Sequence, residues 1–297
     1  MTLPHVLISL HKGYGLGDAV HMSSVLRHVA RARPYWLVDY CAEEGKHQVG
    51  RGIVANTFAY GQPHPSEHYD SEVQMVLYDT WRGWTDRPNT NVSSCLHDCF
   101  QLPWTPESQR YEVEISRKSM DSAGRLLGNT KCVAVHYEGD SSPAKKNLTQ
   151  DQALEVCRAI EALGRIPLVL DWRYKSLLPC AHGIRKLRAP SAWGGNAEMV
   201  CAVISQCEAF VGVDSGPAKC ASATDTPTLV VWTGHHPAQF HDPAPNTTHL
   251  VPRGYHQLGP VCDNEAVVKW FERHYTTRQY VLDPVMEIKT WLSEVLK

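Results

Sequence analysis

The chain has 297 residues, 43% hydrophobic and 20% charged, enough for one large domain or two medium ones with a buried core. Its 29 Lys and Arg face 31 Asp and Glu, a net charge of −2, so no global positive field exists to hold long nucleic acid. No stretch approaches the ~20 apolar residues of a membrane span, and the balance excludes a collagen, a disordered chain, a membrane-spanning protein and a DNA-coating protein.

The N-terminal MTLPHVLISLHKGYG has a short apolar run without a basic leader, so it reads as a first strand rather than a secretion signal. Ten cysteines (41, 95, 99, 132, 157, 180, 201, 207, 220 and 262) are scattered without a CxxC pair. They read as small buried hydrophobes, and the cytosol is the expected compartment.

Short β-branched runs alternate with amphipathic stretches, the pattern of an α/β protein. His5–Leu10 is a predicted strand, Gly13–Asp18 a glycine-rich loop and Ala19–Ala32 a helix stopped before Pro34. Strands follow at Trp36–Tyr40 and Val73–Tyr78, then a helix at Val92–Leu102. Glu43–Ser71 carries no clear period. From residue 131 the rhythm restarts: strand Lys131–Tyr137, polar loop Gly139–Asn147, then a helix. Thr149 with Gln152 makes a capping box for that helix, whose apolar stripe is Leu154, Cys157, Ile160 and Leu163; Gly164 ends it. Strand Ile166–Asp171, helix Ala197–Ser205 and strand Ala209–Asp214 come next. A glycine turn and a helix then lead to strands Thr228–Thr233 and His249–Pro252. Val285–Leu296 is a final amphipathic helix.

The expected division is therefore 1–125 and 126–283, two Rossmann-like units, with 284–297 a helix packing back on the first. The boundary falls in Ser119–Thr130, where Gly124, Gly128 and Asn129 loosen the chain. Two such units imply a cleft, with ligands at the C-terminal ends of the strands.

Three constellations carry chemistry. GYGLGDAVH (Gly13–His21) follows a strand and opens a helix, but its glycines lack the dinucleotide GxGxxG spacing. They permit close backbone approach to a ligand. Asp18 is either the N-cap of that helix or a cleft-edge general base, and capping amides oppose the second role by stabilising the ionised carboxylate. HYEGDSSPAKKNLT (His136–Thr149) is a small-residue loop with hydroxyls from Ser141 and Ser142 and charge from Lys145 and Lys146. FVGVDSGPAKCASATDTPTLVVWTG (Phe210–Gly234) ends a strand in Asp214 and turns through Ser215 and Gly216 into a helix carrying Lys219, a pattern that suits a pyrophosphate.

GDAVHMSSVLR (Gly17–Arg27), SSPAKKNLT (Ser141–Thr149), VGVDSGPAKCASATDTP (Val211–Pro227) and VWTGHHP (Val231–Pro237) together resemble glycosyltransferase family 9, the heptosyltransferase-like enzymes. The resemblance implies a GT-B fold, donor bound mainly by the C-terminal unit, acceptor by the N-terminal one. It also implies inverting, metal-independent transfer from a nucleotide-diphosphate sugar, ADP-heptose in the best-known members. By position Asp18 is then the catalytic aspartate, and Lys146, with Lys145 beside it, holds the donor phosphates. Ser141, Ser142, Asp214, Ser215 and Gly216 belong to the same phosphate site. Lys219 stands where the family usually has His, and keeps its charge at every physiological pH. Asp171, Thr233, Gly234 and His235 are expected at the donor base or ribose; Gly15, Gly17, His21, Trp81 and Trp84 on the acceptor side.

The chemistry has its own logic. A departing diphosphate needs positive charge, which Lys146, Lys219 and a helix start supply where other enzymes use a metal. The acceptor hydroxyl needs one base. No DxD occurs anywhere in the chain, and the histidines at 235, 236 and 241 lack acidic or Cys partners at metal-ligand spacing. No cofactor or metal is expected. The partners are a small-molecule nucleotide sugar and a saccharide or other hydroxyl acceptor, with peripheral membrane contact allowed. The rivals are a sugar-nucleotide epimerase or hydrolase on the same scaffold, using Glu138, Asp140 or His136, and a non-catalytic nucleotide-binding module.

Overall fold

The computed structural model describes residues 3–75, 91–105, 110–139, 146–171, 176, 178, 185–187, 196–255 and 265–297, with only the backbone of 185–187 and 265–268. Two parallel sheets divide the chain. The first has the order β3-β2-β1-β4, from β1 (His5–Leu10), β2 (Leu37–Ala42), β3 (Asn56–Ala59) and β4 (Ser71–Met75). The second has the order β11-β10-β9-β8-β5-β6-β7. Its strands are β5 (Cys132–His136), β6 (Ile166–Leu170), β7 (Arg185–Leu187), β8 (Ala209–Val213), β9 (Thr228–Val231), β10 (Thr247–Pro252) and β11 (Thr276–Tyr280). Every described strand pair is parallel. β5, β8 and β9 are buried at every position, which is why they read as continuous apolar runs rather than alternating ones.

The helices are α1 (Leu16–Ala32), α2 (Val92–Asp98), α3 (Arg117–Leu127), α4 (Gln150–Ala162), α5 (Ala197–Ile204), α6 (Gly216–Ser222), a single turn α7 (Pro237–Phe240), α8 (Glu265–His274) and α9 (Val285–Val295). The capping box on α4 forms as read: Gln152 N donates to Thr149 Oγ1 (3.2 Å) and Thr149 N to Gln152 Oε1 (3.0 Å). Gly164 takes φ +73 just past its end. The eight described cysteines are free, and seven of them are buried.

Three expectations are corrected. α1 begins three residues earlier than Ala19, on Leu16. The stretch Ser119–Thr130 is no loose linker: Ser116 caps α3 by accepting from Ser119 N (3.3 Å), and the helix runs through Gly124 to stop at Gly128, φ +62. A single helical glycine costs only ~0.5–1 kcal/mol, which a good cap offsets. α9 packs on the second sheet's side rather than on the first unit. Ile288, Trp291 and Leu292 share a core with Val156 and Ile160 of α4, and Lys289 Nζ reaches Glu155 (2.9 Å). The aperiodic Glu43–Ser71 holds a 3-10 turn (His47–Gly50) and β3.

The halves are joined by their helices. α1 packs on α6, and α3 and the 3-10 turn pack on α5. One hydrophobic cluster contains Ile8, Leu26 and Val29 of the first half with Phe210, Val230 and Trp232 of the second. Arg51 pairs with buried Glu198 of α5, which also accepts from the Ser116 backbone N (3.0 Å) and hydroxyl. Burial raises the Glu198 carboxyl, but these bonds and Arg51 outweigh it and leave it below the ordinary range.

Candidate active site

The site assembles where α1 and α6 meet start to start, at the C-terminal ends of β1 and β8. The start of α6 has no room for a side chain, and the start of α1 little. A Cβ on Gly216 would lie 2.7 Å from Leu16 Cβ and 2.9 Å from Gly17 N; one on Gly17 would lie 3.2 Å from Lys219 Cδ and 3.4 Å from its Nζ. Gly17, read as permitting ligand approach, and Gly216, read as part of a phosphate turn, here permit the two halves to approach each other.

Asp214 follows β8 directly and is buried. Its Oδ2 meets Lys146 Nζ at 2.8 Å and His235 Nδ1 at 3.5 Å, and its Oδ1 meets Lys219 Nζ at 3.4 Å. Burial alone would raise this carboxyl; Lys219, His235 and Lys146 together hold it well below the usual range. A carboxylate so committed organises cations and does not itself receive a phosphate. Lys146 is delivered by the end of its loop. Asn147 Oδ1 accepts from Gly139 N (2.7 Å), Leu148 N bonds the Tyr137 carbonyl (3.2 Å), and the Lys146 ammonium lies 5.9 Å from the Phe240 ring centre.

Asp18 sits in the first turn of α1, three residues past its cap rather than at it, because the helix begins early. Its Oδ2 accepts from Gly15 N at 2.8 Å. Burial pushes the Asp18 carboxyl up; Lys219, the Gly15 amide, Lys146 and Lys46 pull it back without cancelling the rise. Of the two sequence readings, the N-cap is thus displaced: one amide bond remains, too few to depress the carboxyl.

Lys46 is a member that sequence reasoning missed. Its ammonium bonds the Tyr14 carbonyl and Glu43. It lies in the aperiodic stretch, so no spacing pointed to it.

The remaining expected residues divide. Ser215 stands at the start of α6 with its hydroxyl bonded to His136 Nδ1 (3.0 Å). His235 Nδ1 faces Asp214 Oδ2 (3.5 Å) and its ring lies against Phe240 (4.8 Å between ring centres). Thr233 and Gly234 follow β9 at the same sheet edge, half-buried. Asp171, after β6, accepts from Ser176 N (3.1 Å). His21 is not open to an acceptor. It is buried, Nε2–H donates to the Phe240 carbonyl (3.2 Å), and Nδ1 is left to accept from Ser93 or Tyr111 (2.8 and 3.2 Å). It knits the halves together: Ser93 Oγ gives its one proton to Asp242 Oδ2 (2.7 Å), which leaves Tyr111 as the donor to Nδ1. The epimerase candidates are engaged too, His136 by Ser215 and Glu138 by Gln150 (2.9 Å). Ser141, Ser142, Lys145, Trp81, Trp84 and Asp140 lie outside the described residues. No group of three or more metal-ligating side chains occurs among the described residues, and no helix among them is long and apolar enough to cross a membrane.

The two parallel-sheet units, meeting at the starts of α1 and α6, have the GT-B fold. The Glycosyltransferase family 9 (heptosyltransferase) sequence model matches residues 196–263, which include the Asp214–Lys219 turn. A glycosyl transferase family 9 structure from Veillonella parvula shares the fold at TM-score 0.68, with 12% identity over 100% of this chain and 98% of that one. The E. coli heptosyltransferase WaaC, solved with ADP, gives 0.55 at 16% identity, covering 91% and 99%; E. coli ADP-heptose LPS heptosyltransferase II gives 0.54 at 11%, covering 91% and 99%. Comparison with curated proteins gives no match. The family 9 motifs read in the sequence thus have a matching sequence model over residues 196–263 and a matching fold over the whole chain.

Proposed function

We propose that the protein is an inverting, metal-independent glycosyltransferase that moves a sugar, heptose from ADP-heptose in the first instance, onto a saccharide hydroxyl. The observation that carries this reading is a half-buried carboxylate of raised basicity, Asp18, beside a cationic cluster built on Asp214. The 126–283 unit would bind the donor and the 1–125 unit the acceptor.

Asp18 removes the acceptor proton as the hydroxyl attacks the anomeric carbon. A base is more effective as its pKa rises toward the working pH, and burial moves Asp18 in that direction. Attack opposite the departing diphosphate inverts the anomeric centre in one step, and no second carboxylate is needed to form a glycosyl-enzyme. Lys146 stabilises the negative charge that develops on the diphosphate, in a site where low water content strengthens each interaction. The half-buried Lys146, the buried Lys219 and the absence of DxD support a leaving group neutralised by side chains rather than by a metal. ADP as the nucleotide is supported by the shared fold with WaaC, which holds it. The free cysteines suit a reducing compartment, the cytoplasm.

The experiment is transfer from ADP-heptose to a saccharide acceptor, with product configuration read by NMR. Asp18→Asn is expected to lower kcat by ~10²–10⁴-fold, the usual contribution of a general base, with ADP binding kept. The product should carry the inverted anomer, and EDTA should leave the rate unchanged. Equal turnover by Asp18→Asn and wild type overturns the reading; turnover of donor without acceptor would favour the epimerase or hydrolase rival.

A further inference from the structure

The turn that follows β2 reaches back to the loop before α1. In it Lys46 N and His47 N both donate to the Glu43 carbonyl (3.0 and 3.2 Å), and Gly45 takes φ +80. The turn is held from both halves. The Gly45 carbonyl accepts from Ala197 N at the start of α5 (3.2 Å), and the Lys46 carbonyl from Val49 N of the 3-10 turn (3.3 Å). From this seat the Lys46 side chain, 15% exposed, extends until its ammonium donates to the Tyr14 carbonyl and to Glu43. The N–H of the next residue, Gly15, donates to Asp18 Oδ2 at 2.8 Å. Tyr14 C=O and Gly15 N–H are the two polar ends of one trans peptide plane, and they point in opposite directions. Lys46 and Asp18 therefore grip opposite edges of the same rigid group.

We propose that Lys46 is a positioning residue for the base: by holding the Tyr14 carbonyl it fixes the Tyr14–Gly15 peptide, whose N–H holds Asp18 Oδ2 and leaves Oδ1 for the acceptor hydroxyl. This rests on the reading of Asp18 as the base and extends it. Among the described residues no donor meets Oδ1.

The physics of the relay is that of a short hydrogen-bond chain. A carbonyl that accepts from a cation makes the N–H of its own peptide a stronger donor, by ~10–30% per bond in such chains. The plane cannot swing about its ends without giving up both bonds, so the carboxylate inherits the orientation of a peptide that Lys46 has set. A lysine that only stapled the loop could take any of its carbonyls; this one takes the carbonyl of the peptide that carries the Asp18 bond. Of the influences that lower the Asp18 carboxyl, the Gly15 amide stands above the Lys46 charge, so Lys46 acts on the base more through the peptide than through its field. Ala197 belongs to the second half, so the turn that steadies the base is itself seated on α5, beside the Arg51–Glu198 pair.

The test is a double-mutant cycle on transfer from ADP-heptose to the saccharide acceptor: wild type, Lys46→Met, Asp18→Asn and the double variant, with Lys46→Arg beside them. Misplacing a reacting group by ~1 Å costs on the order of 10²-fold in rate. Lys46→Met should therefore lower kcat ~10–100-fold, with KM for donor and acceptor within about twofold of wild type. Lys46→Arg keeps a cation that can donate to the Tyr14 carbonyl and should recover most of the loss. Residues that act as a unit are not additive. With no carboxylate base left to aim, Lys46→Met should cost nothing further in the Asp18→Asn background. Should Lys46→Met not fold, the shorter, uncharged Lys46→Gln takes its place in the cycle with the same expected outcome. A raised acceptor KM with kcat kept would make Lys46 an acceptor contact, and the full loss repeated in Asp18→Asn would make it a plain staple; either overturns the proposal. Failure of the base reading looks different: Asp18→Asn would then turn over like the wild type, and the proposal falls with it.

Discussion

Gly216→Ala puts the start-to-start contact of α1 and α6 to its hardest test. Gly216 does not need a left-handed backbone, so alanine's difficulty there is space alone. Its methyl would stand 2.7 Å from Leu16 Cβ and 2.9 Å from Gly17 N. A Cβ and a backbone nitrogen cannot turn aside as a side-chain tip does. Ordinary contact begins at 3.4 Å, so the two helix starts must separate by about 0.7 Å. Asp18 rides on one and Lys219 on the other. Misplacing reacting groups by ~1 Å costs on the order of 10²-fold in rate, and overpacking costs ~1–3 kcal/mol of stability. Steady-state kinetics should therefore show kcat down ~10–100-fold, and thermal unfolding a lower Tm. Gly124→Ala is the control. Its methyl meets only the Gln206 amide, at 3.3 Å, and alanine suits a helix better by ~0.5–1 kcal/mol. It should keep full activity with an equal or higher Tm. Wild-type kcat in Gly216→Ala would refute the claim that the two starts are held at a distance the chemistry requires.

Asp214→Asn leaves Lys146 and Lys219 buried without their shared carboxylate, and losing one partner of a buried pair costs ~3–5 kcal/mol; urea unfolding should show it. Stability should also fall with acid. Burial holds His21, His241 (to about 3) and His249 neutral in the folded protein, whereas the unfolded chain protonates them below ~6.5. Each thus removes ~1.4 kcal/mol per pH unit from ~6.5 downward. Asp242, pushed up to about 7 by burial, works the other way, as does Asp18 to a smaller extent. The net loss is ~2–3 kcal/mol per pH unit, and a stability that rises between pH 6 and 5 would contradict it. Thr149→Ala should cost ~1 kcal/mol through its cap alone and leave kcat untouched.

Much was legible in the sequence because the physics there is local. Thr149 and Gln152 specify a helix start by a hydrogen-bond pair three residues apart, and Gly164 its end by a backbone angle. The buried runs Cys132–His136 and Ala209–Val213 mark central parallel strands by their unbroken apolarity, and the motifs around Asp18, Lys146 and Lys219 follow strand ends. What the order of residues left open was who meets whom. Gly17 lies inside α1 and meets Gly216 at the start of α6, a helix-to-helix contact that a local reading takes for ligand space. His21 turned from the acceptor side into the core because Ser93, Tyr111 and Phe240, far apart in the chain, converge on it. Lys46 had no period to announce it. The sequence alone determined the elements and the charged side chains that follow them. The tertiary structure alone decided that Asp214 would gather two lysines and that Asp18 would come to lie near them across the junction, because electrostatic partnership depends on distance through space and burial, neither of which is written in spacing along the chain.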